Sequence, residues 1–240
     1  MTLSPNQVSL QKTWQGLSDA PCPDGQGKIF AFVSAKSNSG TSFIVRQLAQ
    51  IASLQSQTSN RRVLIIDMDL QKSAQAEWFF SPRAQTQFGP PQGPYDACFG
   101  AEPFWRVTPS MVGRDGLNQS NSVYMSLHMV PQSHLTFSCF HWEKFMPGQT
   151  VLIQNARQYW HALRAQFGAI LVDIPALDRA DLIGTICPEA DQTVLVSDLR
   201  DIHSEIMGQA YRRLQDMNAH CAGMILNELP VGSQMHGGLA

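Results

Sequence analysis

Short apolar runs recur along the chain, and several are followed by stretches whose apolar residues lie three or four positions apart. The first run, Ile29-Phe30-Ala31-Phe32-Val33, has the unbroken character of a strand covered on both faces. Ile44, Leu48 and Ile51 then recur at helical spacing, with Arg46, Gln47, Gln50 and Gln55 at other positions, which predicts a helix packed on a sheet. Val63-Leu64-Ile65-Ile66 is a second strand, closed by Asp67. Strand, helix and strand in this order predict a right-handed parallel crossover. Val123, Met125, Leu127 and Met129 alternate with polar residues and predict a further strand. Tyr159, Leu163 and Phe167 mark a helix that leads into Ala169-Ile170-Leu171-Val172, closed by Asp173. Thr193 to Ser197, a helix carrying Ile206, Ala210, Leu214 and Met217, and Gly223 to Asn227 complete the series. The pattern is that of an α/β protein with an open, mostly parallel sheet and helices on both faces. Ligands of such sheets lie beyond the carboxyl ends of the strands. That edge would gather Ser34 to Ser42, Asp67, Asp69, Asp173 and Asn227.

The remainder of the chain divides by composition. Residues 1–28 are polar and contain Pro5, Pro21, Pro23, Gly25 and Gly27, so they read as a leader, partly disordered or with one short helix near Leu10 to Leu17. Residues 29–230 form a single domain, with a variable insertion near 80–122 rich in Pro, Gly, Gln and Asn, and residues 231–240 form a flexible tail. Trp78, Phe79, Phe80, Phe104 and Trp105 flank or lie in the insertion. Burial in a local core is the expected role for most of them, and a partner surface is the alternative.

With 17 Lys+Arg against 19 Asp+Glu in 240 residues, the net charge of -2 offers no field for nucleic acid. Cysteines at 22, 98, 139, 187 and 221 lack paired spacing, which favours a reducing, cytoplasmic setting over a zinc or disulfide framework. Small buried thiols are expected for most of them. His128, His134 and His141 are too dispersed to establish a metal site. No stretch of about 18 apolar residues predicts a membrane span.

The candidate chemistry begins at Ser34-Ala35-Lys36-Ser37-Asn38-Ser39-Gly40-Thr41-Ser42, between the first strand and the first core helix. A phosphate loop works by aiming successive backbone N–H groups and a helix N-terminus at phosphate oxygens. Gly40 permits the tight turn, and Ser42 offers the hydroxyl that contacts magnesium in the G-x-x-x-x-G-K-[ST] pattern. Thr41 stands where that pattern has lysine, and its first glycine is missing. The alternative is an ordinary polar connection in which Ser39 or another small residue caps the helix. Asp67 and Asp69 close one strand and Asp173 closes another, where carboxylates can face magnesium or can bind local backbone and solvent.

Taken together, residues 29 to 230 resemble the deviant phosphate-loop ATPase superfamily that includes the MinD and ParA proteins, and particularly its bacterial polysaccharide-associated tyrosine kinase branch. Val63 to Gln71 resembles the second Walker segment of those kinases, and Ala169 to Pro175 their D-x-P magnesium segment. Gly93 to Gly100 is similar to a segment before the central strand, and Gly223 to Asn227 to the late strand whose asparagine borders the base. The resemblance implies a P-loop NTPase-like fold holding ATP or ADP with magnesium. It implies Ser39, Gly40, Thr41, Ser42 and Asn227 against the nucleotide, and Ser42, Asp69 and Asp173 at the metal. Asp67 would lie near the attacking group. Lys36 matches the signature lysine that reaches across a dimer in the MinD branch.

Loss of the lysine at 41 removes charge stabilisation from phosphoryl transfer, because a threonine donates only a neutral hydrogen bond. The four tyrosines, Tyr95, Tyr124, Tyr159 and Tyr211, form no C-terminal cluster of the kind the kinases carry. The expectation is a catalytically weakened ATPase-like accessory or regulatory protein that binds nucleotide weakly or not at all. By resemblance it acts in exopolysaccharide synthesis or export, recruited to the inner membrane by a membrane-bound partner, with a homodimer as a further implied assembly. The alternatives are an active magnesium-dependent MinD/ParA-type ATPase using Lys36 across a dimer, or a divergent tyrosine kinase.

Overall fold

In the central strands, alternate residues enter two separate cores. Ile29, Ala31 and Val33 face one and Phe30 and Phe32 the other; Leu64 and Ile66 oppose Val63 and Ile65; Ile170 and Val172 oppose Leu171. A sheet apolar on both faces must be covered on both. This computed structural model describes residues 5–19, 25–56, 61–111, 119–201 and 204–227. The elements in chain order are α1 (Pro5–Ser18), β1 (Lys28–Ser34), α2 (Thr41–Ser56), β2 (Val63–Asp67), α3 (Ala74–Phe79), α4 (Pro82–Phe88), β3 (Gln92–Asp96), β4 (Trp105–Thr108), β5 (Met125–Met129), β6 (Leu135–Phe140), β7 (Thr150–Ile153), α5 (Arg157–Gln166), β8 (Ala169–Asp173), α6 (Ile183–Ile186), β9 (Gln192–Asp198), α7 (Glu205–Asp216) and β10 (Cys221–Asn227). The tail at 231–240 lies outside the described residues, as does Cys22.

The main sheet runs β10-β9-β1-β8-β2-β6-β5-β3. Every pairing from β10 to β6 is parallel, and β5 and β3 add antiparallel strands at one end. A second sheet pairs β4 with β7. Residues of α1, α2 and α3 pack on one face of the main sheet, and residues of α5, α6 and α7 on the other. The mostly parallel α/β architecture read from the apolar runs is therefore the architecture observed.

Periodicity alone mistakes some boundaries. Val123 belongs to a 3₁₀ turn over Asn121–Tyr124, and β5 starts at Met125. The strand β6 carries Thr136 and Ser138 at fully covered positions, so its sequence lacks an apolar run. Both hydroxyls have partners: Arg62 Nε donates to Thr136 Oγ1 at 3.0 Å, and Asp67 N donates to Ser138 Oγ at 2.9 Å. Of the five aromatics near the insertion, Phe79, Phe104 and Trp105 are buried, while Phe80 is exposed. Phe104 stacks on Trp160 at 5.5 Å, but these aromatics join the principal cores rather than a local one: Phe104 and Trp105 lie in the core on one face of the main sheet and Phe79 in the core on the other.

The helix α1 is longer than the segment near Leu10 to Leu17. Trp14 is buried edge-on against Phe30 at 5.1 Å, and its Nε1 donates to Gln55 Oε1 at 2.9 Å. At the opposite end of the sheet from the loop, Arg164 pairs with Asp191 at 2.6 Å and also donates to Gly27 O at 2.9 Å. Asp191 in turn accepts from Ile29 N at 2.7 Å, which ties β1, α5 and the start of β9 together.

Candidate functional site

The carboxyl ends of β1, β2, β8 and β10 meet at one edge. The loop from 35 to 40 leaves β1 and turns through two left-handed residues, Asn38 at φ 63 and Gly40 at φ 83, before α2 begins at Thr41. Asparagine is among the few non-glycine residues that tolerate this region. Ser39 does not cap α2 with its side chain. Its hydroxyl donates back to Lys36 O at 2.8 Å, and Ser34 Oγ donates to the same oxygen at 3.0 Å. The first N–H groups of α2, at Thr41, Ser42 and Phe43, lie ahead of any intrahelical acceptor, as at any helix start. Asn227, buried at the end of β10, donates from Nδ2 to Ser39 O at 3.0 Å and holds the loop from the far side.

Two other groups occupy this loop. Lys36 Nζ lies 2.6 Å from Asp201 Oδ1, with both side chains partly exposed. Asp178 Oδ2 accepts from Ser37 N at 2.9 Å, and its Oδ1 accepts from Ser37 Oγ at 2.7 Å. Thr41 is buried, and its Oγ1 has no hydrogen-bond partner. The position where the motif has an ammonium therefore holds an unsatisfied neutral hydroxyl.

Asp67 and Asp173 are paired in register across β2 and β8, and both are buried. Burial first, then the neighbouring Asp173, pushes the Asp67 carboxyl well above its ordinary range. Burial likewise raises Asp173, with hydrogen bonds from Ser42 and Gln75 and the charge of Arg46 acting against it. Gln75, fully buried, sits between them. Its Nε2 donates to Asp173 Oδ2 at 2.6 Å and Ser42 O at 3.1 Å, while its Oε1 accepts from Arg46 at 3.3 Å. Asp67 is used as a local backbone acceptor, taking Asp69 N at 2.9 Å and Gln75 N at 3.0 Å. Asp69 turns away and is gripped at both oxygens by Arg179. Arg46 also lies over the Trp78 ring at 5.3 Å, and burial lowers its pKa while Asp173, Asp67 and Glu77 oppose that shift.

The edge thus brings together Ser39, Gly40, Thr41, Ser42, Asp67, Asp173 and Asn227. Lys36 and Asp69 belong to the same edge but are turned to Asp201 and Arg179. Gln75, Arg46, Asp178 and Arg179 carry much of the site's geometry and have no signature in the motif. The only sequence signals were a lone cation four residues after Ser42 and an acid-base pair just beyond Pro175.

Magnesium needs a near-octahedral set of oxygens free to ligate it. Here an amide donor is lodged against Asp173, a guanidinium against Asp69 and backbone N–H groups against Asp67. As arranged, these residues do not fit the ion, and the described residues hold no group of three His, Cys, Asp or Glu suited to a metal. Nor does the loop, with a carboxylate on Ser37 and no lysine at 41, fit a phosphate as it stands.

His128 and His141 converge on one serine hydroxyl away from this site. Ser126 Oγ is 2.7 Å from His141 Nε2 and 2.9 Å from His128 Nε2, and His141 Nδ1 is 2.9 Å from Glu143 Oε1. With His141 neutral and its proton on Nδ1 toward Glu143, Ser126 donates to His141 and His128 donates to Ser126. Ser126 is only 5% exposed, and a Cβ on Gly93 would come within 2.7 Å of His128 Nδ1. The hydroxyl is sealed, and the group is a satisfied polar chain in the β5–β6 hairpin. Three cysteines are held as thiols: burial pushes the Cys98 thiol up to about 12 and the Cys139 and Cys187 thiols up to about 11. No described helix is long and apolar enough to cross a membrane.

No protein-family model matches the chain, and no curated protein matches it in sequence. Solved structures do match in fold. The kinase domain of Escherichia coli tyrosine kinase ETK aligns with a TM-score of 0.61 and 15% identity, over 93% of this chain and 75% of that one. The VpsO kinase domain gives 0.57 and 16%, over 94% and 97%. Cobyrinic acid a,c-diamide synthase from Mycobacterium smegmatis, solved with a bound ATP analog and magnesium, gives 0.50 and 14%, over 83% and 74%. At such identities the likeness is one of fold. The chain has the phosphate-loop NTPase architecture that bacterial tyrosine kinase domains also have.

Proposed function

We propose that this protein is a catalytically weakened ATPase-like accessory or regulatory protein that binds nucleotide weakly or not at all. The observation that carries the reading is the unsatisfied hydroxyl of Thr41 at the position of the motif's lysine, where the loop enters α2. The internal partners of Asp67, Asp69 and Asp173 support it, because each would have to be displaced before magnesium could bind. Electrostatic stabilisation is the main contribution such a site makes to phosphoryl transfer, and both of its positive elements, lysine and metal, lack a ready place here. ATP or ADP with magnesium remains the ligand class in question.

Action beside a membrane-bound partner in polysaccharide synthesis or export, with recruitment to the inner membrane, belongs to the same proposal and rests on the likeness to the kinase domains. The reading in which Lys36 acts across a homodimer requires that lysine to leave Asp201. An exposed pair of this kind contributes about 0.2–1 kcal/mol, so the pairing weakens that reading without removing it.

Calorimetric titration with ATP, ADP and magnesium tests the proposal. Weak or absent binding is expected, and tight magnesium-dependent ATP binding by the wild-type chain would overturn it. Restored binding in Thr41→Lys would locate the defect at that position.

A further inference from the structure

The segment after β8 touches both halves of the site. Leu177 N donates to Ser34 O at 2.9 Å and lays the segment along the exit of β1. Asp178 then spans Ser37, taking N at 2.9 Å and Oγ at 2.7 Å. Its neighbour Arg179 reaches in the other direction and grips both oxygens of Asp69. Further on, Asp181 pairs with Arg213 of α7. Two adjacent residues therefore hold one group from the loop and one from the carboxylates.

A phosphate oxygen and the Asp178 carboxylate are rivals for the same donor. A loop of this shape holds an anion through its backbone N–H groups, and Asp178 already takes one of them with a charge of the ligand's own sign. Asp178 is exposed, so packing does not explain its place. What burial it has would raise its pKa, but the two bonds from Ser37 and the charge of Arg179 outweigh this and hold it below its ordinary value. It is a carboxylate at neutral pH.

We propose that residues 177–181 form an acidic latch, in which Asp178 covers the Ser37 end of the loop and excludes phosphate while Arg179 keeps Asp69 away from a cation. This rests on reading the loop as a degenerate phosphate site, and it adds a second barrier independent of Thr41. Opening the latch exposes the loop donors and frees Asp69 together, because the two contacts are made by neighbouring residues.

The test is a titration of four full-length proteins with inorganic pyrophosphate and with ATP: wild type, Asp178→Asn, Thr41→Lys and the double variant. Asparagine keeps an acceptor for Ser37 and removes the charge. The latch predicts at least tenfold tighter binding of both ligands for Asp178→Asn relative to its parent, in each background at residue 41. Equal affinities within each pair, or no binding by any of the four at millimolar ligand, overturn it. Tight wild-type ATP binding would defeat the weakened-ATPase reading, yet the ratio within each pair still decides the latch. A second measurement follows the Ser37 amide resonance. It should respond to pyrophosphate in Asp178→Asn, and a resonance indifferent to the ligand in that variant counts against the proposal.

Discussion

At the scale of single residues, Thr41 separates a fold from the chemistry commonly built on it. A buried hydroxyl without a partner costs about 1–3 kcal/mol, and nothing around Thr41 Oγ1 repays that cost. Thr41→Val keeps the branched shape and the start of α2, and should raise the unfolding free energy by about 1–2 kcal/mol in urea titrations. An unchanged or lowered stability would mean that the hydroxyl has a partner in solution. The loop, Asp67, Asp69, Asp173 and Asn227 were legible in the sequence because strand ends in a parallel sheet converge on one edge. Where their side chains point was not legible. Asp67 and Asp69, two apart, diverge because one accepts the backbone N–H of the other and the second is drawn to a guanidinium 110 positions away. Gln75 was invisible for a related reason. A polar residue in a short helix looks solvated until tertiary contacts bury it.

At the scale of elements, the apolar runs located β1, β2, β8 and β9 because buried parallel strands must be apolar on both faces. They failed on β6, whose Thr136 and Ser138 are covered but hydrogen-bonded, and they understated α1, which extends the short helix near Leu10 to Leu17 back to Pro5. Trp14 carries much of the α1 attachment, stacked edge-on against Phe30 and bonded to Gln55. Trp14→Ala should destabilise the protein by about 3–5 kcal/mol, as large-to-small core substitutions of tryptophan do. A loss below about 1 kcal/mol by chemical denaturation would show α1 to be a dispensable appendage. The insertion was read by composition, and composition cannot tell the short antiparallel strands β3 and β4 from loops.

At the scale of the whole molecule, the Asp67–Asp173 pair gives stability a direction in pH. Both groups are raised in the folded state, so that state retains protons which the unfolded chain releases near pH 4. The linked stabilisation is full below that pH and is lost as pH rises through the raised values, by at most about 1.4 kcal/mol per pH unit for each proton. His128, lowered by burial and by His141, acts in the opposite sense and removes stability as pH falls below about 6.5. The carboxyl contribution to the urea midpoint of the wild-type chain should therefore decline as pH rises above about 4 through the raised values, and Asp173→Asn should flatten that decline. A wild-type profile that Asp173→Asn leaves unchanged would exclude the raised carboxyls as a source of pH dependence. The same edge that gathers these groups also contains the bond from Asn227 to Ser39 O. Asn227 ends β10, an edge strand whose outer side has no neighbour among the described residues. The loop thus leans on an edge strand, and any unzipping of that rim also removes a brace from the loop nearer the sheet's centre.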